Sequence, residues 1–280
     1  LRMRSASSET SQHWTATATS QVIRFLTVSC IIFSFGIPRL VFAQMYSIET
    51  LGLTSGEHTR NDDFRSSLAT GLNDAGQAIG GSNRYAGSEY LGNSAWLHAS
   101  GTTNEIGLTS TQHTRNDGYR FSAVNNLNEA GQVIGNSNRY NDSAFHGQSV
   151  WQYSGGTTTE IGFIGSQHTR NDGYRYSTVR SLNQAGQVIG DSNRYNFSAY
   201  HGQSAWIFTN GATNEIGLTG SQHTETGGAR FSAVRGLNEA GQVIGYSSRY
   251  DGQSSLGNSA WRYSGGTTTE IGLVGGQHTR

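Results

Sequence analysis

Residues 127–135 read Leu-Asn-Glu-Ala-Gly-Gln-Val-Ile-Gly, and close copies stand at 72–80, 182–190 and 237–245, each 55 residues after the last. The same interval separates His58, His113, His168, His223 and His278, and also Trp96, Trp151, Trp206 and Trp261. No insertion or deletion interrupts the series. A block repeated at fixed length buries its faces only against its neighbours, so the fold must be an array.

The second copy shows how one block is built. Residues 120–128 read as a strand, Gly131 turns the chain, and 132–140 return as a second strand. Residues 141–147 read as a variable loop. Residues 148–154 form a third strand with Trp151 and Tyr153 on one face. Gly155-Gly156 makes the next turn, 157–164 a fourth strand, and 165–173 a connector. Four short strands joined by tight turns predict an all-β chain, a β-propeller-like array of four-stranded repeats. Its core is expected from the recurring Trp, Ile and Val between blades. The alternative is a β-solenoid, although a 55-residue coil would be large. Residues 45–53 and 267–273 read as one strand type, so residues 44–280 hold four full units and part of a fifth. The last motif, His278-Thr279-Arg280, is cut mid-way, and the array is expected to continue.

Low charge (14%) with 38 glycines could suggest disorder, but apolar side chains at fixed intervals argue for a packed chain. All 19 basic residues are arginine, which excludes a lysine nucleophile or Schiff base. Beyond residue 43 there are 15 Arg against 18 Asp and Glu, a net of −3. No basic tract could neutralise a row of phosphates, which argues against a nucleic-acid partner.

Residues 1–43 form the leader. Arg24 precedes an apolar run over 25–37, and Val41-Phe42-Ala43 sets small residues for cleavage after Ala43, the layout of a secretory signal peptide. The run is short for a membrane span, so the expected localisation is secreted or cell-surface, with no span in the mature chain; an uncleaved anchor is the alternative. The one cysteine, Cys30, lies inside the run, leaving no disulfide and no thiolate metal site in the mature chain.

The Gly-Gln-Val-Ile-Gly element, followed by Ser-Ala-Trp, Gly-Gly-Thr-Thr and Glu-Ile-Gly-Leu, resembles the HAF-type extracellular repeat of bacteria. The likeness covers residues 45–280. The His-Ala-Phe triplet is missing: Gly147-Gln148-Ser149 and its equivalents hold that place. The unit is also longer, with an added His-Thr-Arg-Asn-Asp-Gly connector. The resemblance implies an exported protein, often with a C-terminal sorting segment of the PEP-CTERM type, and it implies no activity.

The candidate binding residues are of two kinds. The connectors repeat His113, Arg115 and Asp117 as His168, Arg170 and Asp172. In one reading they form a polar ring for an anionic sugar, or for Ca²⁺ through Asp62, Asp117 and Asp172. In the other they are structural: histidine bonds to serine inside each blade, and Asn-Asp-Gly makes a turn. The structural reading carries no metal site and no cofactor. The variable loops place Phe145 beside His146 and Tyr200 beside His201, an aromatic and polar pairing suited to sugars. Every His, Asp and Glu of note has counterparts in other copies, and no asymmetric catalytic set stands out. The expected function is therefore a secreted, non-enzymatic scaffold binding extracellular polysaccharide or a surface protein. The alternative is a polysaccharide hydrolase or lyase whose catalytic part lies outside this chain.

Overall fold

A computed structural model describes residues 48–272. Its strands fall into four consecutive blades. The first is β1 (Ser67–Leu72), β2 (Ala78–Ala86), β3 (Glu89–Ala99) and β4 (Thr102–Glu105). The second is β5 (Arg120–Leu127), β6 (Val133–Asn141), β7 (Ala144–Ser154) and β8 (Thr157–Ile161). The third is β9 (Arg175–Leu182), β10 (Val188–Asn196), β11 (Ala199–Thr209) and β12 (Ala212–Glu215). The fourth is β13 (Arg230–Leu237), β14 (Val243–Asp251), β15 (Ser254–Ser264) and β16 (Thr267–Ile271). Each strand pairs antiparallel with the next in its blade. Short parallel contacts join the blades, as where Gly92 and Asn93 of β3 meet Arg120 and Phe121 of β5. The fold is a propeller-like all-β array. A solenoid would pair each strand with its counterpart one repeat on, whereas these ladders run between sequence neighbours.

The recurring glycine and tryptophan are two halves of one contact. Gly135 on β6 lies opposite Trp151 on β7. A Cβ on Gly135 would sit 2.2 Å from Trp151 Cζ2 and 2.3 Å from the carbonyl oxygen of Ala123. Gly80, Gly190 and Gly245 meet Trp96, Trp206 and Trp261 in the same way, and all four indoles have 0% exposure. The apolar core lies between blades. Ile79, Leu97 and Ile106 of the first blade pack on Val133 and Trp151 of the second. Matching clusters hold Ile134 against Trp206 and Ile189 against Trp261.

Equivalent turns of successive units are joined by hydrogen bonds. Asn128 Oδ1 accepts from Gln132 N–H at 2.9 Å, and the Asn128 amide donates to the carbonyl oxygen of Asn183 at 3.0 Å, 55 residues on. Asn73 and Asn183 do the same to Asn128 and Asn238. Beside them, the backbone N–H groups of Asp74, Glu129 and Gln184 donate to the side chains of Glu129, Gln184 and Glu239. Each hairpin turn is thereby tied to the next, and an insertion within a turn would break both ladders.

Three expectations need correction. Residues 141–147 are not a loop: Asn141 pairs with Ala144 and Tyr140 with Phe145, so only Asp142 and Ser143 connect β6 to β7. Backbone pairing ignores side-chain identity, so sequence variation at an exposed hairpin tip imitates a loop. The fourth strand of the second blade stops at Ile161 rather than residue 164. Residues 48–53 are irregular, not a strand. Their counterparts β8 and β12 each pair with the third strand of their own blade. The leader and the last motif lie outside the described residues.

Candidate functional site

The connectors separate the residues that the sequence groups together. His113 and His168 point inward, 4% and 7% exposed. The Nε2 of His113 lies 3.1 Å from Ser149 Oγ, and that of His168 lies 3.1 Å from Ser204 Oγ. Ser149 in turn donates its proton to Glu160 Oε1 at 2.5 Å, and Ser204 donates to Glu215 Oε1 at 2.7 Å. Since each hydroxyl gives its proton to a carboxylate, it accepts from the histidine, which fixes the Nε2–H tautomer. The Nδ1 of His113 then accepts from Ser110 Oγ at 2.8 Å. A serine whose proton is committed to glutamate is not activated by its histidine, even at this distance. Burial pushes both imidazoles down to about 4, and they stay neutral. His113 and His168 are thus withdrawn from any surface a sugar would touch.

Arg115 and Asp117 stay outside and turn on each other. Their ion pair is 2.7 Å long, and Asp117 Oδ1 accepts from Tyr119 N–H at 3.0 Å. The Arg115 guanidinium lies over the Tyr119 ring, 5.3 Å from its centroid. Arg170, Asp172 and Tyr174 repeat this arrangement at 2.6 Å and 5.0 Å, and Arg60, Asp62 and Phe64 supply a third copy. The Tyr174 N–H and Arg170 hold the Asp172 carboxyl below its usual range. Asp62, Asp117 and Asp172 therefore each face their own arginine rather than a shared centre.

The aromatic rings are brought together across blades. Phe64, Tyr85, Tyr90, Tyr119, Tyr140 and Phe145 follow one another edge to face, with centroids 6.1–6.5 Å apart. His146 meets Tyr174 edge-on at 5.9 Å, and its Nε2 lies 2.8 Å from the carbonyl oxygen of Asp172. Tyr174, Tyr195 and Tyr200 continue the series. Tyr85, Tyr140 and Tyr195 are buried, and each is flanked by rings that are exposed or half-buried, Phe145 at 52% and Tyr200 at 57% exposed among them. Burial raises the Tyr90, Tyr140 and Tyr200 phenols, which remain donors at neutral pH. The stripe ends in the fourth blade, where Ala229 and Ser255 replace the aromatic residues. His201 stands at the position of His146, beside Gly228.

The sequence reading found Phe145, His146, Tyr200 and His201 but missed Phe64, Tyr85, Tyr119 and Tyr174. The signal was present in the Arg-x-Asp-x-aromatic spacing of three connectors. Asp191 is the one buried carboxylate of the β10 position with no acidic counterpart: Gly81, Asn136 and Tyr246 stand in its place. Its oxygens accept from Val234 N–H at 2.9 Å and Arg180 Nε at 3.1 Å, while burial raises its pKa. Both partners are structural, and Asp191 ties the third blade to the fourth.

No family model matches this chain, and no curated protein matches it. Among solved structures it is similar to the β-propeller domain of the Trilobed protease from Pyrococcus furiosus, with 8% identity and a TM-score of 0.39 over 76% of this chain and 53% of that one. It is similar to a fucose lectin from Kordia zhangzhouensis at 14% identity and a TM-score of 0.29, covering 52% of this chain and 95% of the lectin. Aleuria aurantia lectin gives 7% identity and a TM-score of 0.33 over 74% and 62% of the two chains. The chain thus spans about half the length of the protease propeller. No helix of the described residues is long and apolar enough to cross a membrane.

Proposed function

We propose that this chain is a non-enzymatic scaffold that binds extracellular polysaccharide along its aromatic stripe. The observation that carries this reading is one buried tyrosine in each of three blades with accessible rings on either side of it, flanked by Arg–Asp pairs. Sugar rings present C–H faces that lie on aromatic rings and hydroxyls that bond to charged or phenolic groups, and the stripe offers both. Repetition favours a polymer, since each blade adds one more contact to a ligand already held. The export leader read in residues 1–43 and the resemblance to HAF-type repeats support an address outside the cell or on its surface.

The test is affinity electrophoresis of the purified chain in gels carrying a panel of polysaccharides. Replacing Tyr90, Phe145 and Tyr200 together by alanine removes three exposed rings that are worth about 0.5–1.5 kcal/mol each if each stacks on a sugar. Affinity for a retarding polymer should fall roughly 10- to 1000-fold, read well below the melting transition, since each ring also packs edge to face on a neighbouring tyrosine. Failure of the unaltered protein to bind any polymer in the panel would remove the proposal.

A further inference from the structure

Behind the stripe, each blade junction carries two arginines, and the three junctions differ in how those charges are met. At the first, Glu57 bridges the pair: one carboxylate oxygen binds Arg84 and the other binds Arg120 Nη2 at 2.7 Å. Glu105 adds a second bond to Arg120 at 2.7 Å. Two guanidiniums face two carboxylates. At the second junction the arginines are Arg139 and Arg175, and Glu160 holds Arg175 at 2.5 Å. The bridging position is now Gln112, which offers Arg139 only an amide oxygen at 3.0 Å. At the third, Glu215 holds Arg230 at 2.7 Å and the bridging position is Gln167. Among the described residues, the Arg194 side chain makes one hydrogen bond, 3.4 Å from Nη1 to Ser204 Oγ.

Arg139 and Arg194 are each 5% exposed, so their charges are withdrawn from water. A buried guanidinium without a carboxylate is costly unless another anion meets it. The histidines add no charge, because His113 and His168 are neutral. Burial and the neighbouring Arg175 push the Arg139 pKa down against the pull of Glu160, and burial with Arg230 does the same at Arg194 against Glu215. Gln112 and Gln167 are exposed, so the Gln112 amide that meets Arg139 faces solvent, where a carboxylate can displace it.

We infer that the second and third junctions each bind a carboxylate from outside the chain, held between Arg139 and Arg175 beside Gln112 and between Arg194 and Arg230 beside Gln167. Glu57 is the internal template for that ligand. The site stands on these ion pairs and does not depend on the aromatic stripe. The carboxylate can come from a free small acid or from a uronate unit of a polymer.

The experiment follows thermal unfolding of the purified chain in acetate, with chloride at equal ionic strength as reference. A ligand that binds only the folded state raises the melting temperature with concentration. Acetate should raise it well above chloride. Gln112→Glu with Gln167→Glu supplies both carboxylates internally, so this variant should melt higher without acetate and lose most of the acetate response. Glu57→Gln should melt lower and be partly rescued by acetate. An oligouronate that displaces acetate at lower concentration identifies a polymer as the source; a response to acetate alone identifies a free acid. Equal effects of chloride and acetate, or an undiminished acetate response in the double glutamate variant, would overturn the inference.

Discussion

Gly135→Ala adds one methyl group and should be among the most damaging small substitutions in the chain. Its carbon would lie 2.2 Å from Trp151 Cζ2 and 2.3 Å from the Ala123 carbonyl oxygen. Carbon atoms in contact rest about 3.5–4.0 Å apart, so more than an ångström must be found on two sides. The indole cannot supply it, because Trp151 is fully buried between blades. The carbonyl cannot supply it without breaking the β5–β6 ladder. Overpacking of this kind costs about 1–3 kcal/mol, and two rigid neighbours place Gly135→Ala at the upper end. At roughly 2–4 °C per kcal/mol for a domain of this size, the melting temperature should fall by about 6–12 °C. Far-UV circular dichroism and tryptophan fluorescence, followed together during heating, read the loss. Trp151→Leu separates the two contacts: against that background Gly135→Ala should cost less, because only the carbonyl overlap remains. An unchanged melting temperature in Gly135→Ala would refute the pairing of glycine and tryptophan as the reason both recur.

Other outcomes follow from the same structure. His113 and His168 are held at about 4, below the usual 6.5, so the unfolded chain binds more protons between those values. Stability should be full above pH 6.5 and fall as pH drops toward 4, by up to roughly 1.4 kcal/mol per pH unit for each histidine. Urea midpoints across that range check it, and His113→Gln should flatten the profile. Asn128→Ala strands the Gln132 N–H and cuts the tie to the Asn183 carbonyl, which keeps its bond from Gly186 N–H, at a cost of about 1–3 kcal/mol. Asn238→Ala should cost less, since Asn238 is exposed and its amide bonds Gln242 alone among the described residues; denaturant unfolding of the two variants makes the comparison.

The blade was legible because its determinants are local. Gly131 marks the turn, alternation marks the strands, and the 55-residue interval marks the neighbour. What stayed hidden were distances between residues far apart in sequence. Nothing local says that Tyr90 lies edge-on to Tyr119, or that Arg120 reaches back to Glu57 across 63 residues. The connector histidines illustrate the same gap. Their repetition fits a ligand ring and a buried strut equally well, and only the serine 36 residues on decides for the strut. Hairpin tips misled in the opposite sense, because variable side chains at Asn141 and Ala144 ride on an ordinary ladder.

Asp191 has a consequence for how such a chain reaches its native order. Blades built from one template present nearly interchangeable faces, so the first strand of any blade could dock on the wrong predecessor while the protein is being made. Skipping a blade would cost little in apolar contact. The β10 position breaks that degeneracy, carrying Gly81, Asn136, Asp191 and Tyr246 in turn. Asp191 accepts the Val234 N–H of the blade that follows it, with Arg180 completing the arrangement from its own blade. One buried carboxylate thus gives the third blade an outgoing face unlike those of its neighbours.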